Sequence, residues 1–308
     1  MKILLKTGIT LLIFVIIFNS IDVDKFLHTL SKSNGLFLLF GLFFQYLSTA
    51  LASYRWHLIM RTLRYGLPFS FFYSSYFKAT FFNQALPSTI GGDAVRVIDL
   101  IGEKKNKKKA FFDVLIDRVI GLLGLLVLSL AANLVEPGLL PKNIHALIIT
   151  LSIGGIAGVW VLLNLSRLRF FKRFRFLKLF YDLSIRFRVI LRNKRRLFIQ
   201  ILLSVGVHML AVVAFYMIAL SISLKVDLTL FMVIIPAVLL ISIIPLSLAG
   251  WGVRESAMIG LFLLVGADKE KVLSISILYG IILVLIGIYG AVYYLKENKR
   301  NKSTKDHP

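Results

Sequence analysis

PSTIGGDAVR at Pro87–Arg96 decides how the rest of the chain reads, because PLSLAGWGVR at Pro245–Arg254 repeats its pattern. At one constant offset Pro87 falls on Pro245, Gly92 on Gly250, Val95 on Val253 and Arg96 on Arg254. Thr89 with Ser247, Ile90 with Leu248, Gly91 with Ala249 and Ala94 with Gly252 are conservative pairs. Each copy interrupts an apolar stretch with proline and glycine and then plants an arginine. Proline lacks a backbone donor and glycine tolerates positive φ, so together they break a helix. Matching breaks in the two halves of a membrane protein point to an internal repeat with its site at the breaks.

The rest of the chain supplies the membrane context. Over 308 residues it is 58% hydrophobic, with a mean hydropathy of +0.83. It holds several apolar runs of the roughly 20 residues that a helix needs to cross a bilayer. The fold class expected is an all-α polytopic integral membrane protein. The sequence has no cysteine, which excludes a disulfide framework, a thiolate metal site and a cysteine nucleophile. A formal charge of +22 would suggest nucleic acid in a soluble protein. Here the lysines and arginines sit in loops beside apolar runs, where they orient the chain and attract anionic lipid, so no nucleic-acid partner is expected.

About eight membrane segments are expected. Ile3–Phe18 reads as a retained first span, since it ends in Asn19, Ser20, Ile21 and Asp22 rather than in a small-residue cleavage site. Gly35–Tyr54 is the second, closed by Arg55, His57, Arg61 and Arg64. Pro68–Leu86 is rich in Phe, Tyr and Ser, contains Lys78, and reads as half of a broken hairpin. After a lysine cluster (Lys104, Lys105, Lys107, Lys108, Lys109) come spans at Phe111–Leu134 and Ile144–Leu165. In Arg167–Arg196, Phe170, Phe174, Leu177 and Tyr181 recur at helical spacing opposite Arg173, Arg175 and Lys178. That pattern predicts an amphipathic helix in the membrane surface, with a basic linker as the alternative. The second half runs through Leu197–Ser223, Leu228–Ile244, the second motif, Ser256–Ala267 and Val272–Leu295. One transmembrane domain is thus expected over 1–295, in halves 1–165 and 197–295 joined by the basic segment 166–196. Residues 296–308 read as a disordered cytoplasmic tail.

Basic residues mark the cytoplasmic side, which puts both termini inside a prokaryotic cytoplasmic membrane. Counting crossings then makes the two motif hairpins enter from opposite faces, the arrangement of an inverted repeat, whether they are re-entrant or full spans.

Asp93 and Arg96 follow the first break, and Arg254 and Glu255 follow the second. A charge at the centre of a membrane helix costs roughly 2.5 to 3.5 kcal/mol on insertion scales, so such residues face a cavity or each other. Half-helices beginning after Gly92 and Gly252 would aim their positive ends at the same region and favour an anion there. The alternatives are an N-cap role for Asp93 with an i,i+3 pair to Arg96, and a snorkelling Arg254 beside Glu255. Asp117 and Arg118 lie on the following helix with Gly121 and Gly124 just beyond. Those glycines allow a close helix approach, so the pair sits either against the motif hairpin or in a juxtamembrane salt bridge. Lys78 and Gln84 are weaker candidates for the same cavity, and His208 reads as a packing residue. The candidate site is therefore Asp93, Arg96, Asp117, Arg118, Arg254 and Glu255, with backbone breaks at Pro87, Gly91, Gly92, Pro245, Gly250 and Gly252. The sequence carries no P-loop, no metal-ligand spacing and no nucleophile elbow, so no metal or other cofactor and no catalytic residue is expected.

PSTIGGDAVR, the lysine-rich loop with DVLIDRVIGLL at Asp113–Leu123, and IPLSLAGWGVRES at Ile244–Ser256 occur in an order that resembles the flippase-like membrane family. That family includes the transmembrane region of lysylphosphatidylglycerol synthase, and the resemblance covers nearly the whole chain. It implies movement of a lipid or lipid-linked molecule between leaflets, with the six charged residues as candidates for the headgroup cavity. The sequence stops at Pro308 without the synthase's soluble aminoacyl-transfer domain, so lysyl transfer is not expected of it. The expected activity is translocation of an anionic phospholipid or a polyisoprenyl-linked precursor, with no nucleotide hydrolysis. The alternatives are an intramembrane transferase, an accessory subunit to a partner enzyme of lipid or glycan synthesis, and a scaffold acting through its basic helix.

Overall fold

The computed structural model describes residues 15–17, 19, 22–85, 91–103, 106–167, 175–244 and 250–303, with the backbone alone at 85, 175–177 and 298–303. Most of the first expected span lies outside these residues, as do Pro87, Pro245, Phe170, Phe174 and Arg173. The described residues form helices joined by short turns, without strands.

A short helix, α1 (Val23–Ser31), is capped by Asp22, whose side chain accepts from the Lys25 amide. Next comes α2 (Gly35–Thr62), then the pair α3 (Phe69–Ala85) and α4 (Gly91–Gly102), and then α5 (Lys107–Val135) and α6 (Lys142–Asn164). A surface helix α7 (Arg175–Leu191) leads to α8 (Lys194–Ser221) and the second pair, α9 (Leu228–Ser242) and α10 (Val253–Leu263). The chain then continues in α11 (Lys269–Ser303). Among the described residues five helices are long and apolar enough to cross a membrane: Gly35–Thr62, Lys107–Val135, Lys142–Arg167, Lys194–Ser221 and Lys269–Glu297. Large apolar side chains such as Leu39, Leu151, Trp160, Leu202 and Leu285 stand exposed on them, as lipid-facing surfaces require.

The two helix pairs are different in kind. At 1.5 Å per residue, α3, α4, α9 and α10 are about 25, 18, 22 and 16 Å long, each short of the ~30 Å hydrocarbon core. In the first pair the arms run antiparallel: Asn83 accepts from the Gly92 amide at 2.9 Å and, farther from the tip, Lys78 meets Asp99 at 2.9 Å. A Cβ at Gly92 would lie 2.3 Å from the Ala79 carbonyl oxygen, so only glycine lets these arms close. This pair opens at the start of α5, where Tyr65, just ahead of α3, donates to Asp113 at 2.6 Å. The second pair, with the Phe231 and Phe262 rings 5.1 Å apart, opens at the other end of α5. There Glu136, Leu224–Asp227, Thr229, Leu230 and Val265–Asp268 surround one cavity of about 570 Å³. The two hairpins thus enter from opposite ends of the bundle, as the crossing count predicts.

Between them α2 and α8 cross antiparallel, joined by the Ser48 hydroxyl donating to the Val207 carbonyl at 2.8 Å. Around that seam α3 packs on α11 and α9 packs on α5, an exchange of neighbours that fits a pseudo-two-fold relation between the halves. One apolar core, with Phe215, Phe231, Ile235, Phe262 and Leu273, surrounds the second hairpin. Another, with Trp56, Phe72, Leu100, Ile116 and Phe187, surrounds the first.

Three expectations change. Helix α2 runs to Thr62 instead of closing at Tyr54, because nothing between Arg55 and Thr62 breaks it, and Arg55 is buried inside the bundle. The segment expected as a disordered tail is helical through Ser303, where Glu297 pairs with Lys78 of α3. The basic segment does form a helix, α7, yet Leu183, Phe187 and Ile190 dock it onto the bundle while Phe180, Ile185 and Val189 stay exposed.

Candidate functional site

The first hairpin brings Asp93, Arg96, Asp117 and Arg118 together. Helix α4 starts with Gly91 and Gly92 in its first turn, two residues earlier than expected, which places Asp93 and Arg96 on successive turns facing α5. Asp93 does not cap the helix; its carboxylate joins two arginines, Arg96 at 3.2 Å and Arg118 Nε at 2.7 Å. Arg96 Nη2 reaches Asp117 Oδ2 at 2.6 Å, and Asp117 Oδ1 accepts from Arg55 Nη2 at 2.9 Å and Nε at 3.1 Å. Arg55 goes on to donate to Ser204 Oγ of α8 at 2.9 Å. The chain of contacts Arg118–Asp93–Arg96–Asp117–Arg55 holds three guanidinium groups against two carboxylates, a net charge of +1.

Depth divides this cluster. The Asp117 and Arg96 side chains are 1% and 2% exposed, whereas Arg118 is 48% exposed. The Arg96 guanidinium carbon lies 4.1 Å from the Trp56 ring centroid and 4.7 Å from that of Tyr76, and its Nε has no hydrogen-bond partner. Two aromatic faces and two carboxylates hold a buried cation that the bilayer alone would not tolerate.

The second hairpin is closed and balanced. Gly252, at φ +88°, caps α10, and its amide donates to Glu255 Oε2 at 2.6 Å. The other oxygen of Glu255 accepts from Arg254 Nη2 at 2.6 Å and from the Ser276 hydroxyl at 2.9 Å, and Arg254 Nε also reaches Ser276. Glu255 is therefore both helix cap and counter-ion, and Arg254 is buried beside it rather than snorkelling. Trp251 and Tyr279 flank the Arg254 guanidinium at 5.0 and 5.5 Å. Gly250, at φ +83°, takes the left-handed conformation that glycine favours.

Several sequence expectations land elsewhere. Lys78 lies outside the arginine cluster and pairs with Asp99 and Glu297. Gln84 sits by Gly287 of α11. Gly121 faces the Arg55 guanidinium, and Gly124 meets Ser204 of α8, so the close approach those glycines allow is to the α2–α8 seam and not to the hairpin. His208 is the packing residue expected, its Nε2 3.0 Å from the Gly121 carbonyl. Sequence reasoning missed Arg55, Ser204, Ser276 and the aromatic partners Trp56, Tyr76, Trp251 and Tyr279. Arg55 carried a signal, an unbroken helical run past Tyr54 with a tryptophan beside the arginine. Among the described residues no group of His, Asp and Glu is arranged to hold a metal ion.

The long apolar helices, the opposed broken hairpins and the buried charges define an all-α, multi-pass membrane protein. Residues 3–290 match the family described as the lysylphosphatidylglycerol synthase TM region, and the chain belongs to that family. The family relates it to membrane lipid metabolism or transport. No curated protein matches the chain.

Proposed function

We propose that this protein is a flippase-like translocase for an anionic phospholipid or lipid-linked precursor, working in a prokaryotic cytoplasmic membrane with both termini inside. The observation that carries this reading is the five-residue cluster at the first hairpin, positive by one charge, half-open at Arg118 and set beside a broken hairpin opposed by a second one. A buried site with more guanidinium than carboxylate has room for one further negative charge, and phosphate matches guanidinium in geometry as well as sign.

In this reading Arg118 meets the headgroup first, and the phosphate displaces the Asp93 carboxylate. Arg96 then shares the anion while Asp117 and Arg55 keep it in place. At the opposite hairpin Arg254 exchanges Glu255 for the same anion, so the two carboxylates neutralise the arginines when the site is empty. Acyl or isoprenyl chains remain in lipid. Moving one charge through 100 mV is worth about 2.3 kcal/mol, enough for the membrane potential to bias an anionic lipid without nucleotide hydrolysis.

The test is leaflet exchange of fluorescent phospholipids and short-chain polyisoprenyl phosphates in proteoliposomes, comparing wild type with Arg96→Ala and Arg254→Ala. Exchange of anionic lipids that needs both arginines is the expected result. No exchange of any lipid by folded wild-type protein removes the translocase reading.

A further inference from the structure

Where α2 ends and α8 begins, the structure leaves a second cavity, about 290 Å³, lined by Leu58, Arg61, Thr62, Arg196, Ile199 and Gln200. It lies on the same seam as the buried cluster, nearer the bundle end at which the first hairpin opens. Leu58 is one turn from Arg55 on α2. On α8, Ser204, which receives Arg55, donates to the Gln200 carbonyl at 2.8 Å. The cavity and the cluster are therefore neighbours along two rigid helices, but they share no side chain.

Among the described residues neither Arg61 nor Arg196 has a carboxylate within ion-pair distance, so both guanidinium groups are uncommitted at the rim. The Thr62 hydroxyl donates to the Leu58 carbonyl at 3.0 Å, leaving its lone pairs. Gln200 is only 4% exposed, and its side-chain oxygen Oε1 has no donor. A buried amide oxygen without a partner loses the full cost of its desolvation, so such atoms are rare and are met by a ligand or by water. Leu58 and Ile199 give the wall an apolar side, and Phe198 and Leu202 stand exposed on the neighbouring lipid-facing surface.

Two free guanidinium groups, one orphan acceptor and an apolar flank form a recognisable set. We infer that this cavity binds the headgroup of an anionic phospholipid whose phosphodiester lies between Arg61 and Arg196. A headgroup hydroxyl donates to Gln200 Oε1, and the acyl chains run outward over α8. Guanidinium pairs recognise phosphate through paired N–H donors, and the orphan carbonyl selects a hydroxylated headgroup over a bare ester. The lipid bound here is a stationary ligand of the α2–α8 seam and does not need to cross the membrane. The inference therefore stands apart from translocation, and an equilibrium binding measurement separates the two.

The experiment is native mass spectrometry of the full chain in detergent, titrated with dioleoylphosphatidylglycerol. The comparison lipid is dioleoylphosphatidylethanol, which has the same charge and no headgroup hydroxyl, and soluble glycerol 1-phosphate is the competitor. Arg61→Gln with Arg196→Gln is expected to remove one bound phosphatidylglycerol or weaken it about tenfold, while Arg195→Gln on the adjacent exposed surface leaves it within about twofold. Gln200→Leu is expected to abolish the preference for phosphatidylglycerol over phosphatidylethanol. Unchanged lipid binding in the double variant, or an equal loss in Arg195→Gln, overturns the site. A preference unchanged in Gln200→Leu shows that water meets the carbonyl and overturns the selectivity. Competition by glycerol 1-phosphate at lipid-like concentrations shows that the ligand is a free phosphate and overturns the lipid assignment.

Discussion

The two motif copies begin alike and end as opposites. Arg96 and Arg254 occupy matching positions, each buried, each against a tryptophan and a tyrosine, and each salt-bridged to a carboxylate. Arg254 is satisfied by its immediate neighbour Glu255 and by Ser276, so its site is self-contained and neutral. Arg96 is tied to a shared carboxylate on another helix, and that carboxylate is tied in turn to Arg55, so its site spans α2, α4, α5 and α8 and retains one positive charge. The second site can open only by separating an adjacent pair. The first already presents Arg118 at its edge. The translocation proposed above needs one closed and one receptive site at a time, and the two hairpins differ in that sense.

The sharpest way to break the comparison is Asp117→Asn, which leaves buried Arg55 without a counter-charge and Arg96 with Asp93 alone, at 3.2 Å. Removing one partner of a buried pair costs about 3 to 5 kcal/mol, so unfolded or strongly destabilised protein is expected in a detergent melting experiment. An unchanged melting temperature would mean that the carboxylate does not organise the first site. Glu255→Gln strands Arg254 alone, leaves every other ion pair in place and keeps an acceptor for the Gly252 amide. The expected loss is smaller, about 2 kcal/mol on the same measurement.

Glycines probe the room in each site. A Cβ at Gly280 would lie 2.3 Å from the Trp251 ring and 2.7 Å from Arg254 Nη2, whereas one at Gly121 would stand 3.2 Å from the Arg55 guanidinium. Gly280→Ala is expected to cost about 1 to 3 kcal/mol, and Gly121→Ala less, because its neighbour is the end of a long side chain. The reverse order would contradict a closed second site and a looser first one.

The smallest effect is expected at the fastenings of the open ends. The first hairpin's end is tied by buried Asp113, which accepts from Tyr65 and Arg186. The second's is tied by Lys25, which is exposed and reaches Asp268 at 2.6 Å and Glu270 at 3.1 Å. Hydrogen bonds to Asp268 and Glu270 raise Lys25 above its ordinary value of 10.5. Burial pushes Asp268 up, but Lys25 and the Lys271 amide outweigh it and hold it below its ordinary 3.8. The clamp is therefore lost only as pH falls through the lowered carboxylate value or rises through the raised ammonium value. Crosslinking between α1 and α11 is expected to stay flat from about pH 5 to 9 and to fall in Lys25→Met. A fall within that pH range would contradict the assignment.

Much of this was legible in the sequence. The paired breaks gave the hairpins, the charge pattern their opposite entry, and the spacing of Asp93, Arg96, Asp117 and Arg118 along two consecutive helices their meeting. Arg55 was hidden because basic residues after an apolar run ordinarily mark a membrane edge; its inward place depends on Asp117, 62 residues away in sequence. Lys78 was misplaced for a similar reason, since Asp99 and Glu297 reach it only once α3 lies against α4 and α11. At the constant offset of the repeat, Pro236 stands where Lys78 does, so the repeat gave no guide to that residue. The aromatic platforms likewise depend on which helices face each other, which periodicity does not specify.

The most direct test of the central claim is the rate of leaflet exchange of a fluorescent anionic phospholipid in proteoliposomes carrying wild type, Arg118→Gln or Arg254→Gln. Arg118 is half-exposed, so its replacement leaves the fold in place while removing the receptive edge. The account predicts exchange in wild type, a loss of about tenfold or more in both variants, and unchanged melting in Arg118→Gln. Wild-type rates in a folded Arg118→Gln protein would contradict it.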